Sequence, residues 1–166
     1  MSDIKVLISA LAVDMNTNSP VIILKEENGE RTLPIWIGVA EASAIAIKTA
    51  NIKTDRPLTH DLMKTLIDAV NAKVIKVVVD DLVENTFYAK IFIQMGNSLL
   101  YIDTRPSDAI AIALRCGAPI FVEEKLITPT ASQESKESPP RANSADQLRQ
   151  RLREIDPKDF GNFPLG

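Results

Sequence analysis

Hydrophobic positions near the start of the chain fall at strand spacing. Lys5 to Val13 (KVLISALAV) and Pro20 to Lys25 (PVIILK) are rich in strand formers, and the segment between them, Asp14 to Ser19, is built of turn residues. That pattern predicts a hairpin. Asn28-Gly29 gives a second turn signal before a third strand at Arg31 to Ile37, which extends the hairpin to a meander. The pattern then changes. Val39 to Ala50 (VAEASAIAIKTA) is alanine and isoleucine with little polar surface, and Glu41 falls in its first turn, so it predicts a buried helix.

The same order returns 67 positions later. Ile8 meets Ile75, Asp14 meets Asp81, Asn18 meets Asn85, Gly29 meets Gly96, Ala42 meets Ala109 and Ile45 meets Ile112 without a gap, and Glu41 meets Asp108 as Lys48 meets Arg115. Turn residues, strand cores and a helix face all share one offset, which predicts an α+β fold made by internal duplication of a β-β-β-α unit, with repeats at about 4–51 and 71–118. Leu58 to Asn71 lies between them. Its Leu62, Leu66 and Val70, with Met63 and Ile67 beside them, read as the apolar stripe of a connecting helix. Pro119 to Val122 reads as one more short strand. Residues 128–143 hold no large apolar side chain and three prolines, so a flexible linker is expected there. Ser144 with Gln147 then suits a capping box, and Leu148, Leu152 and Ile155 form a narrow stripe, which predicts a short helix within 144–166. The expected organisation is a domain at 1–127, the linker, and this helix with its tail.

Composition narrows the class. The chain is 45% hydrophobic and 25% charged, ordinary for a globular protein, and no apolar run approaches the roughly 20 residues that span a bilayer, so a cytoplasmic protein without membrane contact is expected. Cys116 is the sole cysteine, which leaves no internal disulfide and no cysteine-rich zinc site. A net charge of −3 gives no overall pull on a polyanion, so any nucleic-acid surface must be local.

Chemistry concentrates in two places. At the second strand-to-helix corner Asp103, Arg105 and Ser107 stand where the first has Trp36, Gly38 and Ala40, and Pro106 suits the first helical position. Arg105 is read either as a planar fork for a phosphate, with Ser107 and free backbone amides adding donors, or as the partner of Asp103 in an ion pair that braces the turn. His60, the only histidine, begins the connecting helix with Thr59 as its expected cap and Asp61 beside it. The imidazole is read either as a general base or metal ligand, or as a solvated first-turn residue. Glu41 and Asp108 read as first-turn carboxylates that complement the helix dipole. Trp36, Phe87 and Tyr88 are either base-stacking or core aromatics.

The segments LPIWIGVAEASAIA (33–46), RPLTHDL (56–62), FYAKI (87–91) and DTRPSDAIAIALRCGAPIFV (103–122) resemble the bifunctional nuclease family, whose members are named for degrading both DNA and RNA. The resemblance spans about residues 4–127 and implies a nuclease that takes nucleic acid as substrate and self-associates, with a homodimer expected. Arg56, His60, Asp61, Asp103, Arg105, Ser107, Asp108 and Arg115 are the matched positions with usable chemistry. In the resulting expectation Arg56 and Arg105, with Ser107 and Arg115, bind the substrate, His60 is general base or acid, and Asp61 or Asp103 orients it. A divalent cation such as magnesium, with Asp61, Asp103 and Asp108 as candidate ligands, is a further option. The alternative is a non-catalytic module that captures a small anion or a partner's carboxylate. The catalytic reading requires the RPLTHD and DTRPSD segments to meet.

Overall fold

The computed structural model describes residues 2–127, so the linker expected at 128–143 and the helix expected within 144–166 lie outside the described residues. The chain forms β1 (Asp3–Asp14), β2 (Ser19–Glu26), β3 (Thr32–Trp36), α1 (Val39–Thr49), α2 (Thr59–Ala69), β4 (Ala72–Val83), β5 (Thr86–Met95), β6 (Ser98–Thr104), α3 (Pro106–Cys116), β7 (Ile120–Glu123) and a short 3-10 turn at Glu124–Leu126. It is a mixed α+β fold with one sheet in the order β3-β2-β1-β7-β4-β5-β6.

Local chemistry explains the turns. Between β4 and β5 the two loop residues Glu84 and Asn85 both take positive φ, 48° and 61°, the conformation whose twist matches a two-residue hairpin. Between β1 and β2 the Asp14 carboxylate accepts the Asn16 N–H at 2.9 Å, and Asn18 takes φ 55°. Each meander ends in a helix, and α1 and α3 begin and end 67 positions apart. β7 then runs between the two meanders, antiparallel to β1 and parallel to β4.

The core lies between the sheet and the helices. Ile22 and Leu24 of β2, Val77 and Val79 of β4, Val122 of β7, Ile45 of α1 and Ile110 and Ile112 of α3 are essentially sealed from water. Each such side chain contributes about 1.5–3 kcal/mol relative to an exposed one. α3 is buried around most of its circumference because α1 and α2 both pack on it while it lies against β4 and β5; its alanines permit that close approach.

The connecting helix differs from expectation in its facing. α2 forms, but Leu62, Met63, Leu66 and Val70 point outward, with Leu66 58% exposed, and only Ile67 of the predicted stripe is drawn toward the core. Polar groups fix α2 instead. His60 and Asp61 in its first turn bond to Asp108 and Arg115 of α3, which turns the leucines away from it.

Candidate functional site

The second strand-to-helix corner is rigid for reasons visible in its residues. Arg105 is the extended N-cap of α3, and Pro106 follows at the first helical position, where its fixed φ favours the helix and its missing N–H costs nothing. From that point the guanidinium reaches two carboxylates. Nε donates to Asp108 Oδ2 at 2.7 Å and Nη2 donates to Glu41 Oε1 of α1 at 2.7 Å. Arg105 therefore pairs with Asp108 and Glu41 and not with Asp103, because its first-turn neighbour and α1 both lie on its side of the corner. Asp103 sits on β6 opposite Lys90, exposed, and Lys90 is bonded to Asp80.

Asp108 joins the two segments that the sequence left separate. Its other oxygen, Oδ1, lies 3.0 Å from His60 Nε2, so Arg105 and His60 each hold one oxygen of a single carboxylate. Burial alone would push the Asp108 carboxyl up, but the hydrogen bonds from Arg105 and His60 outweigh it and keep it below the ordinary aspartate value. An ionised carboxylate only accepts hydrogen bonds, so Nε2 carries the proton in the neutral ring and Nδ1 is the basic nitrogen. Nδ1 makes no hydrogen bond among the described residues. The His60 side chain is 10% exposed.

Behind this pair lies a buried strut. Arg115, with its side chain 3% exposed, donates through Nε to Asp61 Oδ1 at 2.6 Å, through Nη1 to the Ala111 carbonyl at 3.0 Å and through Nη2 to the Ala44 carbonyl at 3.2 Å. It ties α1, α2 and α3 together with its side chain sealed from solvent, where the sequence expectation had it binding substrate. Asp61 is held below the ordinary value first by the Leu58 N–H, which its Oδ2 accepts at 2.9 Å, and then by Arg115. The cap of α2 is thus Leu58 with the Asp61 carboxylate on its amide, and Thr59 is already helical. Asp61 positions the first turn that carries His60 without touching the ring's bonded nitrogen.

Arg105 and Ser107 open on a cavity of 380 Å³ whose wall also includes Ser19, Trp36, Gly38, Thr86 and Phe87. That wall combines the end of β3 and the loop after it, the starts of β2 and β5, and the corner that opens α3. Ser107 is only 5% exposed, and its hydroxyl has no hydrogen-bond partner among the described residues. Trp36, 55% exposed, donates Nε1 to Asp14 Oδ2 at 2.9 Å and flanks the opening with half-buried Phe87, whereas Tyr88 is absent from that wall. Arg56 stands on the loop before α2, exposed and with its guanidinium unbonded among the described residues, and it does not line the cavity.

The metal candidates do not converge. Asp61 is engaged by Leu58 and Arg115, Asp108 by Arg105 and His60, and Asp103 lies on β6; no group of three or more potential ligands occurs among the described residues. Cys116 is a free thiol whose pKa burial pushes up, as expected of an inert side chain. Sequence reasoning missed Glu41 and Asp108 as the clamp on Arg105. Their shared offset reads as architecture, yet an arginine at one N-cap flanked by first-turn acids from both helices was the available signal. It also missed Gly38, where a Cβ would lie 2.2 Å from Glu41 Oε2.

A family model described as the bifunctional nuclease domain matches residues 22–135. A protein of Mycobacterium tuberculosis named only as uncharacterized is 39% identical over 166 residues, covering 96% of this chain and 98% of that protein. Bifunctional nuclease 1 of Arabidopsis thaliana is 35% identical over 112 residues, 64% of this chain and 34% of that protein. Bifunctional nuclease 1 of Oryza sativa subsp. indica is 29% identical over 124 residues, 68% of this chain and 38% of that protein. Against these plant relatives the chain spans little more than a third of their length.

Proposed function

The chain belongs to the bifunctional nuclease domain family, and from that premise we propose that it is a nuclease hydrolysing phosphodiester bonds in DNA and RNA. One observation carries the reading: Arg105 and His60 are held by the two oxygens of Asp108, beside a cavity that Arg105 and Ser107 line. A phosphate entering the cavity meets the Arg105 guanidinium, the Ser107 hydroxyl and the free amide of Ser107 at the start of α3, donors suited to charge developing on its oxygens. His60 acts through Nδ1 as general base or acid while Asp108 fixes its ring, and Asp61 and Arg115 hold the helix that carries it. Arg56 serves the flanking backbone of the strand. Asp103 has no role in this scheme.

The test is cleavage of labelled single-stranded RNA and duplex DNA, with and without EDTA, by wild type, His60→Ala and Arg105→Ala purified from the same host. Activity in the wild type alone is expected. Equal cutting by all three would assign the activity to a contaminant. The second reading, a non-catalytic anion-binding module, is favoured by one feature: His60 is nearly sealed and is not on the cavity wall. Phosphate binding by a wild type that cuts neither substrate would select it.

Three further statements belong to the same proposal. The two β-β-β-α units descend from a duplication, supported by the 67-residue offset of α1 and α3. The protein self-associates as a homodimer. Supporting this, edge strand β6 has seven residues and no proline, unlike edge strand β3 with Pro34, and the outward leucines of α2 add apolar surface. Sedimentation that finds only monomer at micromolar concentration would remove that statement. The protein works in the cytoplasm, supported by its lone free thiol; no helix among the described residues is long and apolar enough to cross a membrane.

A further inference from the structure

We infer that Glu41, paired with Arg105 but not on the cavity wall, sets the anion affinity of this site as a resident anion that competes with phosphate for Arg105. The inference rests on the phosphate-binding reading of Arg105 given above. An arginine recognises phosphate best when two of its nitrogens present parallel N–H groups to two oxygens. At Arg105 the Nε donor is taken by Asp108 and Nη2 donates to Glu41, so among the described residues Nη1 is the nitrogen that no carboxylate engages. Nη2 keeps a second N–H, so a phosphate that bridges Nη1 and Nη2 shares Nη2 with Glu41 and is repelled at close range by the Glu41 charge.

The two carboxylates are not equivalent. Asp108 lies one turn from Arg105 on the same helix and is further held by His60, so it moves with the site. Glu41 comes from α1, and its hold on Arg105 is the contact that can be exchanged. Arg105 is two-thirds exposed whereas Glu41 is mostly covered, so the arginine swings out to an incoming anion more easily than the glutamate withdraws. Ser107 completes the picture from the other side. Ser107 lines the cavity and its hydroxyl has no hydrogen-bond partner among the described residues, a donor left open for an oxygen that Glu41 does not supply.

Gly38 explains why Glu41 can stand there. Its backbone, at φ −73° and ψ 158°, is open to any residue, but a Cβ would sit 2.2 Å from Glu41 Oε2 and displace that carboxylate. Two unrelated substitutions therefore act on the competitor. Glu41→Gln keeps the shape and deletes the charge, and Gly38→Ala keeps the charge and forces its Oε2 end to shift.

The experiment is calorimetric titration of the full chain with inorganic phosphate at low salt, for wild type, Glu41→Gln, Gly38→Ala and each of these combined with Arg105→Gln. Circular dichroism melting checks that every variant is folded. Both single variants should bind phosphate about threefold or more tighter than wild type, the size expected for removing one partly exposed charge contact. Both lose the gain when Arg105 is also changed. Folded Glu41→Gln and Gly38→Ala proteins that bind phosphate no better than wild type overturn the role of Glu41, since a glutamate that merely braces the corner predicts equal or weaker binding. Phosphate binding that survives Arg105→Gln undiminished overturns the reading of Arg105 itself, an outcome distinct from the first.

Discussion

The corner that ends at Gly38 and the corner that ends at Arg105 share a backbone and differ in chemistry. Gly38 caps α1 at φ −73° and ψ 158°, and Arg105 caps α3 at φ −72° and ψ 145°, 67 positions apart. In each, an acid follows three residues later, Glu41 or Asp108. At the first corner the missing side chain makes room for that acid, and at the second a guanidinium grips both acids at once. The comparison teaches that the turn alone does not set the local chemistry. What distinguishes the second corner is a cation placed between two carboxylates, with His60 on the far oxygen of one of them.

The distal ends of the two helices repeat the lesson and give the largest expected effect. Arg115 occupies the α3 position that corresponds to Lys48 on α1, yet Arg115 is sealed among three helices while Lys48 is exposed. Replacing Arg115 by Ala leaves Asp61 and the Ala44 carbonyl without their partner. Breaking a buried ion pair costs about 3–5 kcal/mol, and Asp61 retains some contact with water, so a loss of about 3 kcal/mol is expected from urea unfolding. A loss below about 1 kcal/mol would show that the strut is not what holds α2.

At the corners themselves the proposed nuclease reading predicts a contrast in activity. Arg105→Ala should lower cleavage by about 10²-fold or more, the scale seen when a preorganised donor to a developing oxyanion is removed. Its effect on stability should be small, because the arginine is mostly in water and exposed ion pairs contribute about 0–1 kcal/mol. Measuring kcat/KM beside the urea midpoint separates the two. A proteolytic or unfolding defect that tracks the activity loss would make Arg105 a brace and would put the two corners on an equal footing.

Much of this arrangement could be read from residue order, and the part that could not has a physical reason. Alternation, turn residues and the alanine-rich helix signature are local, and they located the hairpins, both buried helices and the final strand within a few residues. His60 and Arg105 were singled out by type and setting, but which acid would join them depended on how α2 crosses α3. Sequence spacing offers no measure of that crossing. Asp103 is two residues from Arg105 yet on a strand, and Asp108 is three away on the helix that Arg105 caps, so helical geometry decided the pairing. The stripe of α2 failed for a related reason. Leu62, Leu66 and Val70 state that one face is apolar, while His60 and Asp61 fix which face is turned to α3.

Acid should weaken the corner that carries Arg105 through a definable group. The folded pKa of Asp108 lies below its unfolded value of about 3.9, so its contribution to stability is fully present above that value and is lost as pH falls through the folded pKa. Unfolding midpoints measured from pH 6 down to about pH 3 should therefore fall more gently in Asp108→Asn than in wild type, from a lower starting point. Identical slopes would mean that Arg105 and His60 do not favour the ionised form.

The smallest effect is the control that gives the first its meaning. Lys48→Ala removes an exposed side chain from α1 at the position matching Arg115. It makes no hydrogen bond or ion pair among the described residues, and its charge only weakly favours ionised Asp61. Solvent screens a charge in that setting, and alanine is the better helix former, so the change in stability should stay within about 0.5 kcal/mol. Urea unfolding of Lys48→Ala beside Arg115→Ala then compares two basic residues at matching places whose difference is burial and bonding. A Lys48→Ala loss comparable to that of Arg115→Ala would trace both losses to positive charge near Asp61, and the three-helix strut would no longer explain the α3 end.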